Sequence, residues 1–305
     1  MLPRLSQLLS GLVVGTWMSY AVTPSSLAEP GSQPVCVRVS TPPGYKRIAV
    51  SERSFGAWLR NLPVRPGCAK IRDYKGRKVP NQDSHYAILD VDIGSEDLQQ
   101  CADAVIRLRA EYLLSIGCGD EIRFNLTNGD SAFWRDWREG ARPVTNGNFT
   151  TWHKSARPDA SYANFRAYLD VVFTYAGTMS LSRELMPVRD PARPEIGDVY
   201  IVGGFPGHAA LVIDVAENNE GERIFLLAQG YMPAQDIHVL RSGEDINPWF
   251  TARPEGELRI PGSKQVGHVT NASDKPTFVV RWTFSYTDLR RFRSTGCEVS
   301  GSPTN

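Results

Sequence analysis

The sequence predicts an α+β fold, in which helices precede a set of antiparallel strands along the chain. Apolar residues recur at helical spacing over residues 98–112 and again over residues 161–176. Three short apolar runs follow, at residues 197–202, 208–216 and 223–231, and the turn-like stretch ENNEGE joins the last two as a hairpin. Helices and strands that are segregated in this way are typical of α+β proteins.

The first 28 residues have the composition of a cleavable secretory signal. Arg4 is the only charge before Glu29, an apolar stretch covers residues 8–22, and Ser26-Leu27-Ala28 supplies the small residues that signal peptidase needs. A retained membrane anchor is the alternative, but the apolar stretch is short for a span of roughly 20 residues. We therefore predict cleavage near Ala28, a periplasmic or secreted protein, and no integral membrane segment after cleavage.

The charge balance and the scattered histidines exclude several classes of partner. Lys and Arg number 34 against 33 Asp and Glu, which gives a formal charge of +1. Such a balance provides no basic surface for nucleic acid or anionic lipid. The five His follow no HxxxH or HxH spacing, CxxC is absent, and no phosphate-binding glycine loop is present. We predict no nucleic-acid partner, no metal and no cofactor.

Five cysteines suit an oxidising compartment and leave one thiol over. Cys36 and Cys297 lie near the two ends of the exported chain, and Cys68 and Cys118 lie in glycine-flanked, turn-like sequence. Because disulfides persist outside the cytoplasm, these four suit bridging, and their pairing is left open. Cys101 lies inside a helical pattern instead, which makes it the best candidate for a free thiol.

The clearest helix is predicted to begin after Ser95, which is a fair N-cap, and to end before Gly117. One face is an apolar stripe at helical spacing, formed by Leu98, Cys101, Val105, Leu108 and Tyr112. This spacing puts Cys101 in about the second turn. The opposite face has polar side chains four residues apart, namely Gln99, Asp103, Arg107 and Glu111. We expect these to form a solvated ladder of ion pairs.

His208 is the side chain best placed for proton transfer. It begins a predicted strand after a loop of small residues, which leaves the imidazole approachable. Gln229 ends the neighbouring strand, and the two positions can lie opposite each other in an antiparallel pair. An amide oxygen there would accept the imidazole N–H and fix its tautomer, as in a set of nucleophile, base and orienting residue. In the alternative interpretation, His208 caps a strand and Gln229 satisfies a backbone group.

Three consecutive strands carry a pattern of small and polar residues at their ends. Gly197-Asp198 precedes the first strand, Gly207-His208 begins the second, and Gln229 ends the third. This pattern, over about residues 159–240, resembles the NlpC-type cell-wall peptidases of the papain-like superfamily. The resemblance implies a papain-like, NlpC-like core of helices packed on an antiparallel sheet, with an N-terminal α/β extension. It also implies that His208 is the general base, that Gln229 orients it, and that the substrate is a peptidoglycan stem peptide or related amide.

Longer motifs extend over nearly the whole mature chain. These are SFGAWLR, DLQQCADAVIRLRAEYL, YAGTMSL, GDVYIVGGFPGHA and LLAQGYMPAQDIHVL. They resemble an uncharacterised family of secreted bacterial proteins, a domain of unknown function.

The nucleophile of the NlpC pattern is missing from its usual place, because the corresponding stretch reads Asp159-Ala160-Ser161-Tyr162 without a thiol. In the first of three interpretations, Cys101 is the nucleophile, early in a helix, and Gln100 is an oxyanion donor. The competing role of Cys101 is core packing. In the second, Ser161 replaces the cysteine, although an N-cap is its more frequent role. In the third, the site is inactive and only binds.

The sequence thus predicts one unit with four segments: a signal at 1–28, an α/β lobe at 29–150, an NlpC-like lobe at 151–296 and a tail at 297–305. The leading function is an exported thiol amidase or peptidase with a Cys101, His208 and Gln229 arrangement. The alternatives are a non-catalytic envelope module on the same scaffold and a Ser161-dependent hydrolase. The implied partner is a cell-wall peptide or glycopeptide.

Overall fold

Seventeen β-strands lie in the part of the chain that the computed structural model describes, which is residues 29–262 and 280–299. In chain order they are β1 (Gln33–Pro34), β2 (Lys46–Arg47), β3 (Pro63–Val64), β4 (His85–Ile88), β5 (Arg123–Asn125), β6 (Ser131–Phe133), β7 (Ala141–Asn146), β8 (Phe149–Lys154), β9 (Met186–Pro187), β10 (Val199–Val202), β11 (His208–Glu217), β12 (Arg223–Gln229), β13 (His238–Leu240), β14 (Phe250–Thr251), β15 (Glu257–Gly262), β16 (Val280–Ser285) and β17 (Leu289–Arg291). The predicted signal at residues 1–28 lies outside the described residues.

Seven α-helices accompany these strands within the same residues. They are α1 (Val35–Arg38), α2 (Phe55–Arg60), α3 (Cys101–Ser115), α4 (Trp134–Arg138), α5 (Tyr162–Tyr175), α6 (Thr178–Glu184) and α7 (Gly296–Val299). Helices and antiparallel sheets together confirm the α+β class. Across residues 29–262 and 280–299, no helix has both the length and the apolar character that a membrane span requires.

A nine-stranded antiparallel sheet organises the fold. Its strand order is β4-β13-β12-β11-β10-β17-β9, while β14 pairs with β12 and β2 pairs with β11. The two longest strands, β11 and β12, lie in the middle and are buried over nearly their whole length. A continuous apolar strand of this kind is covered on both of its faces.

The two faces of the sheet pack against different partners. Ala209 and Leu211 of β11 belong to a core shared with α2, α3 and α5, which we call the helix face. Ala210 and Val212 alternate with them and pack on the other side with Phe284, from the hairpin of β15 and β16. We call this second side the hairpin face.

Helix α3 begins later than its sequence predicts, because Gln100 rather than Ser95 is the N-cap. The carboxylate Oδ2 of Asp103 accepts the Gln100 N–H at 3.0 Å, which satisfies a backbone donor at the start of the helix. Asp97, which the pattern places inside the helix, instead accepts the Ala234 N–H at 2.6 Å. Cys101 is therefore the first residue of the helix and not part of its second turn.

The polar face of α3 is buried, so the prediction of a solvated ladder was wrong. Gln99, Asp103 and Arg107 are exposed by only 1%, 6% and 2%. The Arg107 guanidinium bonds to Gln99 Oε1 at 3.0 Å, to Glu111 at 2.6 Å and to the Tyr162 hydroxyl at 3.0 Å. Tyr162, the first residue of α5, contacts this face through hydrogen bonds of its hydroxyl with Arg107 and Glu111.

Strands from both predicted lobes share the central sheet. Within residues 29–150, β2 pairs with β11 and β4 pairs with β13, which belong to residues 151–296. The predicted tail at 297–305 begins inside α7. Hydrogen bonds of the main sheet therefore cross the predicted boundary at residue 150.

One disulfide joins distant parts of the described chain, between Cys118 and Cys297 at a sequence separation of 179 residues. It ties α7 to the turn that follows α3. Cys101 has a free thiol, in agreement with the sequence prediction. Cys36 and Cys68 are also unpaired, so the expectation that four cysteines form bridges holds for only one pair.

Candidate functional site

A cavity of about 620 Å³ lies where α3 and β11 both begin. Its walls are the first turn of α3, the start of α6, the loop of residues 204–207, and side chains such as Met232 and Trp282. Cys101 and His208 both line it. The fold thus brings these two predicted residues to one cavity from positions more than 100 residues apart in the chain.

A chain of hydrogen bonds fixes the tautomer of His208. The Asp236 carbonyl lies 2.9 Å from His238 Nδ1 and can only accept, so Nδ1 carries the proton of His238. His238 Nε2 then accepts from Gln229 Nε2 at 3.3 Å, which turns Gln229 Oε1 towards His208. That oxygen lies 2.7 Å from His208 Nε2, which must donate to it. The free lone pair of the His208 imidazole is therefore on Nδ1.

The register of the two central strands explains this contact. Leu211 is paired with Ala228, so continuing the antiparallel register places Gln229 across from Ala210. His208 lies two residues further along β11 and on the same face. His208 and Gln229 are thus diagonal neighbours rather than the directly opposite pair that the sequence indicated.

Close backbone contacts shape the rim of the cavity. A Cβ atom on Gly207 would lie 2.3 Å from Thr178 Oγ1 and 2.5 Å from the Gly204 carbonyl oxygen. A Cβ atom on Gly230 would lie 2.7 Å from the Gln100 carbonyl oxygen, at the start of α3. Only glycine permits these approaches. They let the loop before β11 lie against the start of α6, and the residue after β12 lie against the start of α3.

Cys101 occupies the positive end of α3, but its thiol is not ionised at neutral pH. Burial raises the pKa of the thiol to about 11, and the neighbouring Asp103 carboxylate raises it further. The backbone N–H groups of Ala209 and Ala102 act against this rise, because they bond to the sulfur. The sulfur therefore faces the backbone of β11 directly beyond His208.

The imidazole of His208 is also neutral at neutral pH. Burial lowers its pKa to about 4, and the hydrogen bond to Gln229 offsets only part of that effect. Its ring lies on the hairpin face, 5.2 Å from the ring of Trp282 and 5.9 Å from that of Phe284. A neutral imidazole with a free Nδ1 is a proton acceptor.

The thiol and the imidazole approach the cavity from different faces of the sheet. Cys101 comes from α3 on the helix face and bonds to Ala209, whereas His208 packs with Phe284 on the hairpin face. Among the hydrogen bonds of residues 29–262 and 280–299, none joins Cys101 to His208. The two groups share a cavity and meet at the open end of β11.

The remaining predicted residues divide between this cavity and the surface. Gln100 lines the cavity, and its amide nitrogen lies 3.3 Å from Asp97 Oδ1. Ser161 is the exposed N-cap of α5, where its hydroxyl accepts the Asn164 N–H at 3.3 Å. Ser161 is not among the described residues that line the cavity with His208.

Three residues of the site were not predicted from the sequence. His238 orients Gln229, Trp282 packs on the His208 ring, and Asp103 lines the cavity together with Cys101. Burial raises the pKa of Asp103 to about 8. A sequence signal existed only for Asp103, which stands two residues after the predicted thiol.

Within residues 29–262 and 280–299, no group of three or more His, Cys, Asp or Glu is placed to hold a metal ion.

The match to a protein family covers most of the chain. Residues 35–264 match a family model described as "Domain of unknown function (4846)". Neither the curated proteins nor the solved structures contain a match. Because the matched residues make up well over half of the 305, the chain belongs to this family of unknown function.

Proposed function

We propose that the protein is an exported thiol amidase or peptidase that acts on cell-wall peptides or related amides through a papain-like set of residues. Cys101 is the nucleophile, His208 the general base, Gln229 the residue that orients the base, and Gln100 an oxyanion donor. One observation carries the proposal: Cys101 and His208 line one cavity, and Gln229 holds the His208 imidazole with Nδ1 free. The resemblance to NlpC-type peptidases supplies the substrate class.

The chemistry follows from the protonation states. His208 Nδ1 takes the thiol proton as Cys101 Sγ bonds to the amide carbon, and the carbonyl oxygen becomes an oxyanion. The N–H groups at the start of α3 and the Gln100 amide would stabilise this oxyanion. The imidazolium then gives its proton to the leaving nitrogen as the C–N bond breaks. Water hydrolyses the resulting thioester and returns the proton to the thiol.

Catalysis requires one adjustment of the side chains. The Cys101 thiol must leave the Ala209 N–H and turn towards His208 Nδ1, since nucleophile and base need hydrogen-bond contact. Hydrogen bonds of catalytic groups are often long in free enzymes and shorten when substrate binds. A ligand that fills the cavity would supply this change.

The test of catalysis is digestion of purified muropeptides by the mature protein. We expect Cys101→Ala and His208→Ala each to lower the rate at least about a thousandfold, because the two groups act together. Cys68→Ser removes an exposed thiol elsewhere and is expected to retain full activity. Equal rates in wild type and Cys101→Ala would refute the role of Cys101.

The test of the thiol is alkylation by iodoacetamide in a Cys36→Ser/Cys68→Ser background, which leaves Cys101 as the free thiol among the described cysteines. We expect Cys101 to react in the folded protein, and His208→Ala to slow that reaction. A Cys101 that reacts only after denaturation is core packing and not a nucleophile.

Export is part of the same proposal. Protein recovered from the periplasm or the medium of a producing bacterium is expected to begin at Glu29. Intact protein that starts at Met1 in the cytoplasm would contradict it.

A second candidate is a non-catalytic envelope module that binds cell-wall fragments in the same cavity. The observation that favours it is the protonation state of the pair: the pKa of Cys101 is raised to about 11 and that of His208 is lowered to about 4. Both shifts oppose a thiolate–imidazolium pair. Saturable binding of muropeptides without turnover by the wild type would favour this candidate.

A further inference from the structure

The cavity has an acidic lining without a basic counterpart. Among the described residues that line it, the acidic side chains are Asp97 and Asp103, and no Lys or Arg is present. A ligand with a carboxylate or phosphate would find no basic side chain there, whereas a cationic or N–H-rich ligand would find carboxyl oxygens that can accept its hydrogen bonds.

The two carboxyl groups differ in what they do within the protein. Asp97 Oδ1 accepts the Ala234 N–H at 2.6 Å and the Gln100 amide, so it holds the start of α3 in place. Asp103 is 6% exposed, and only its Oδ2 is used, by the Gln100 N–H at 3.0 Å. Its Oδ1 is buried and has no hydrogen-bond partner.

A buried carboxyl oxygen without a partner costs free energy and calls for an explanation at that place. Asp103 lines the same cavity as Cys101, and its carboxyl group acts on the pKa of the thiol, so an amide held at Cys101 would lie in the same cavity as this carboxyl group. Phe205 and Met232, which also line the cavity, are 104% and 54% exposed and offer apolar surface at its rim.

We propose that Asp103 Oδ1 is the recognition point for a ligand nitrogen, and that the cavity takes peptides that carry an ammonium group next to the amide held at Cys101. On binding, the ammonium group favours the ionised form of Asp103, whose proton passes to solvent, and donates a charge-assisted hydrogen bond to Oδ1. The aliphatic part of the peptide lies on Phe205 and Met232. The inference rests on the proposed function for the position of the attacked amide. It extends that function by naming the substrate class.

The ammonium group can come from either of two parts of a peptide, the N-terminus or a side chain. The experiment therefore uses three probes: Ala-Ala-Ala amide, its N-acetyl form, and N-acetyl-Ala-Lys-Ala amide. Cys101→Ala serves as the host, so that binding is measured without turnover. Binding is followed near neutral pH through ¹³C-labelled methionine methyl groups, because Met179 and Met232 line the cavity while Met186 lies on β9 as an internal reference.

At least one ammonium-bearing probe is expected to shift the methyl resonances of Met179 and Met232. Its Kd should be about tenfold below that of N-acetyl-Ala-Ala-Ala amide. Asp103→Asn should reduce this ratio to less than about twofold. Glu96→Gln, which removes an exposed carboxylate outside the cavity, should leave the ratio unchanged. The probe that binds more tightly tells whether the cavity recognises the ammonium group of the N-terminus or that of a lysine side chain.

Equal affinity for charged and acetylated probes, or no shift of Met179 and Met232 with any probe, would overturn the proposal even if Asp103→Asn failed to fold. A tenfold ratio that survives Asp103→Asn would also overturn it. Binding is measured in a host without the thiol, so it does not depend on catalysis. If the wild type hydrolyses no peptide but the host still prefers ammonium-bearing probes tenfold, the proposed catalysis is wrong and the ammonium site stands.

Discussion

Two concave surfaces of nearly equal size differ in how their charged and polar groups are paired. The first is the cavity at the start of α3 and β11. The second is a groove of about 610 Å³, which we call the arginine groove; its charged lining includes Arg109, Arg223, Arg291, Glu195, Asp198, Glu217 and Glu298. Each of the four acidic side chains in that list is paired with an arginine at 2.6–2.9 Å.

The cavity, by contrast, contains polar atoms that the protein does not satisfy. Asp103 Oδ1 and Trp282 Nε1 are both buried without a partner. A paired charge contributes to the stability of the fold, whereas a buried polar atom without a partner calls for an explanation at its place. We therefore attribute the arginine groove to stability and keep the cavity as the proposed ligand site, although their volumes do not distinguish them.

The first prediction concerns the stability of the arginine groove. Glu298→Ala should lower the free energy of unfolding by about 3 kcal/mol, because it leaves the Arg109 guanidinium buried between the rings of Phe55 and Phe292 without its carboxylate. Urea unfolding measures this change. Glu257→Ala, which breaks an exposed pair with Arg259, should cost less than about 1 kcal/mol. A loss below about 1 kcal/mol for Glu298→Ala would contradict the assignment of this groove to stability.

The next effect lies in the cavity and concerns rate. Gln229→Leu keeps the volume of the side chain but removes the oxygen that holds His208 Nε2. We expect the rate constant for amide hydrolysis to fall about 100-fold, in the range observed for general acid–base catalysis. Gln82→Leu removes an amide that bonds to Ile71 and Val79 instead, and should leave the rate constant unchanged. An unchanged rate in Gln229→Leu would show that His208 needs no orienting group.

The third prediction concerns the pH dependence of stability. Burial raises the pKa of Asp103 from 3.8 to about 8, so between these values the folded protein holds a proton that the unfolded chain has lost. This contribution to stability is complete below pH 3.8 and is lost as the pH rises through 8. The free energy of unfolding of Asp103→Asn, relative to that of the wild type, should therefore rise by up to about 1.4 kcal/mol per pH unit from pH 4 to pH 8. Above pH 8 this difference should stay constant.

Urea unfolding of both proteins across this pH range gives the difference directly. The titration of His208 and His238 is common to both proteins and cancels. A difference that stays constant with pH would mean that Asp103 is already ionised in the folded protein.

The smallest effect separates Ser161 from the cavity. Ser161→Ala removes the N-cap of α5 and should cost about 1 kcal/mol of stability, while the hydrolysis rate per folded molecule stays the same. Thermal unfolding and a rate measurement on the same sample test both parts. Loss of activity without loss of stability would revive Ser161 as the nucleophile.

The sequence predicted the strands better than it predicted the environment of α3. The apolar runs that contain His208 and Gln229 form neighbouring strands, because a hairpin is a local structure that its turn residues encode. The diagonal register that joins the two side chains depends on where the strands stop pairing. It was therefore not visible in the sequence.

The errors on α3 have tertiary causes. The helix begins at Cys101 because Asp97 is bonded to Ala234, which is 137 residues away in the chain. Arg107 is buried and bonds to Tyr162, which belongs to another helix. His238, which fixes the amide of Gln229, carries no motif at all. Such contacts appear only after the sheet and helices have packed.

The pairing of β4 with β13 has a consequence for any attempt to isolate the C-terminal half. A fragment of residues 151–296 would lose β4 and leave β13 as a free edge, with unpaired N–H and C=O groups next to His238. Exposed edges of this kind pair with other chains and aggregate. The N-terminal half therefore protects the edge of the sheet that carries the site, and we expect a soluble product only when the two halves are produced as one chain.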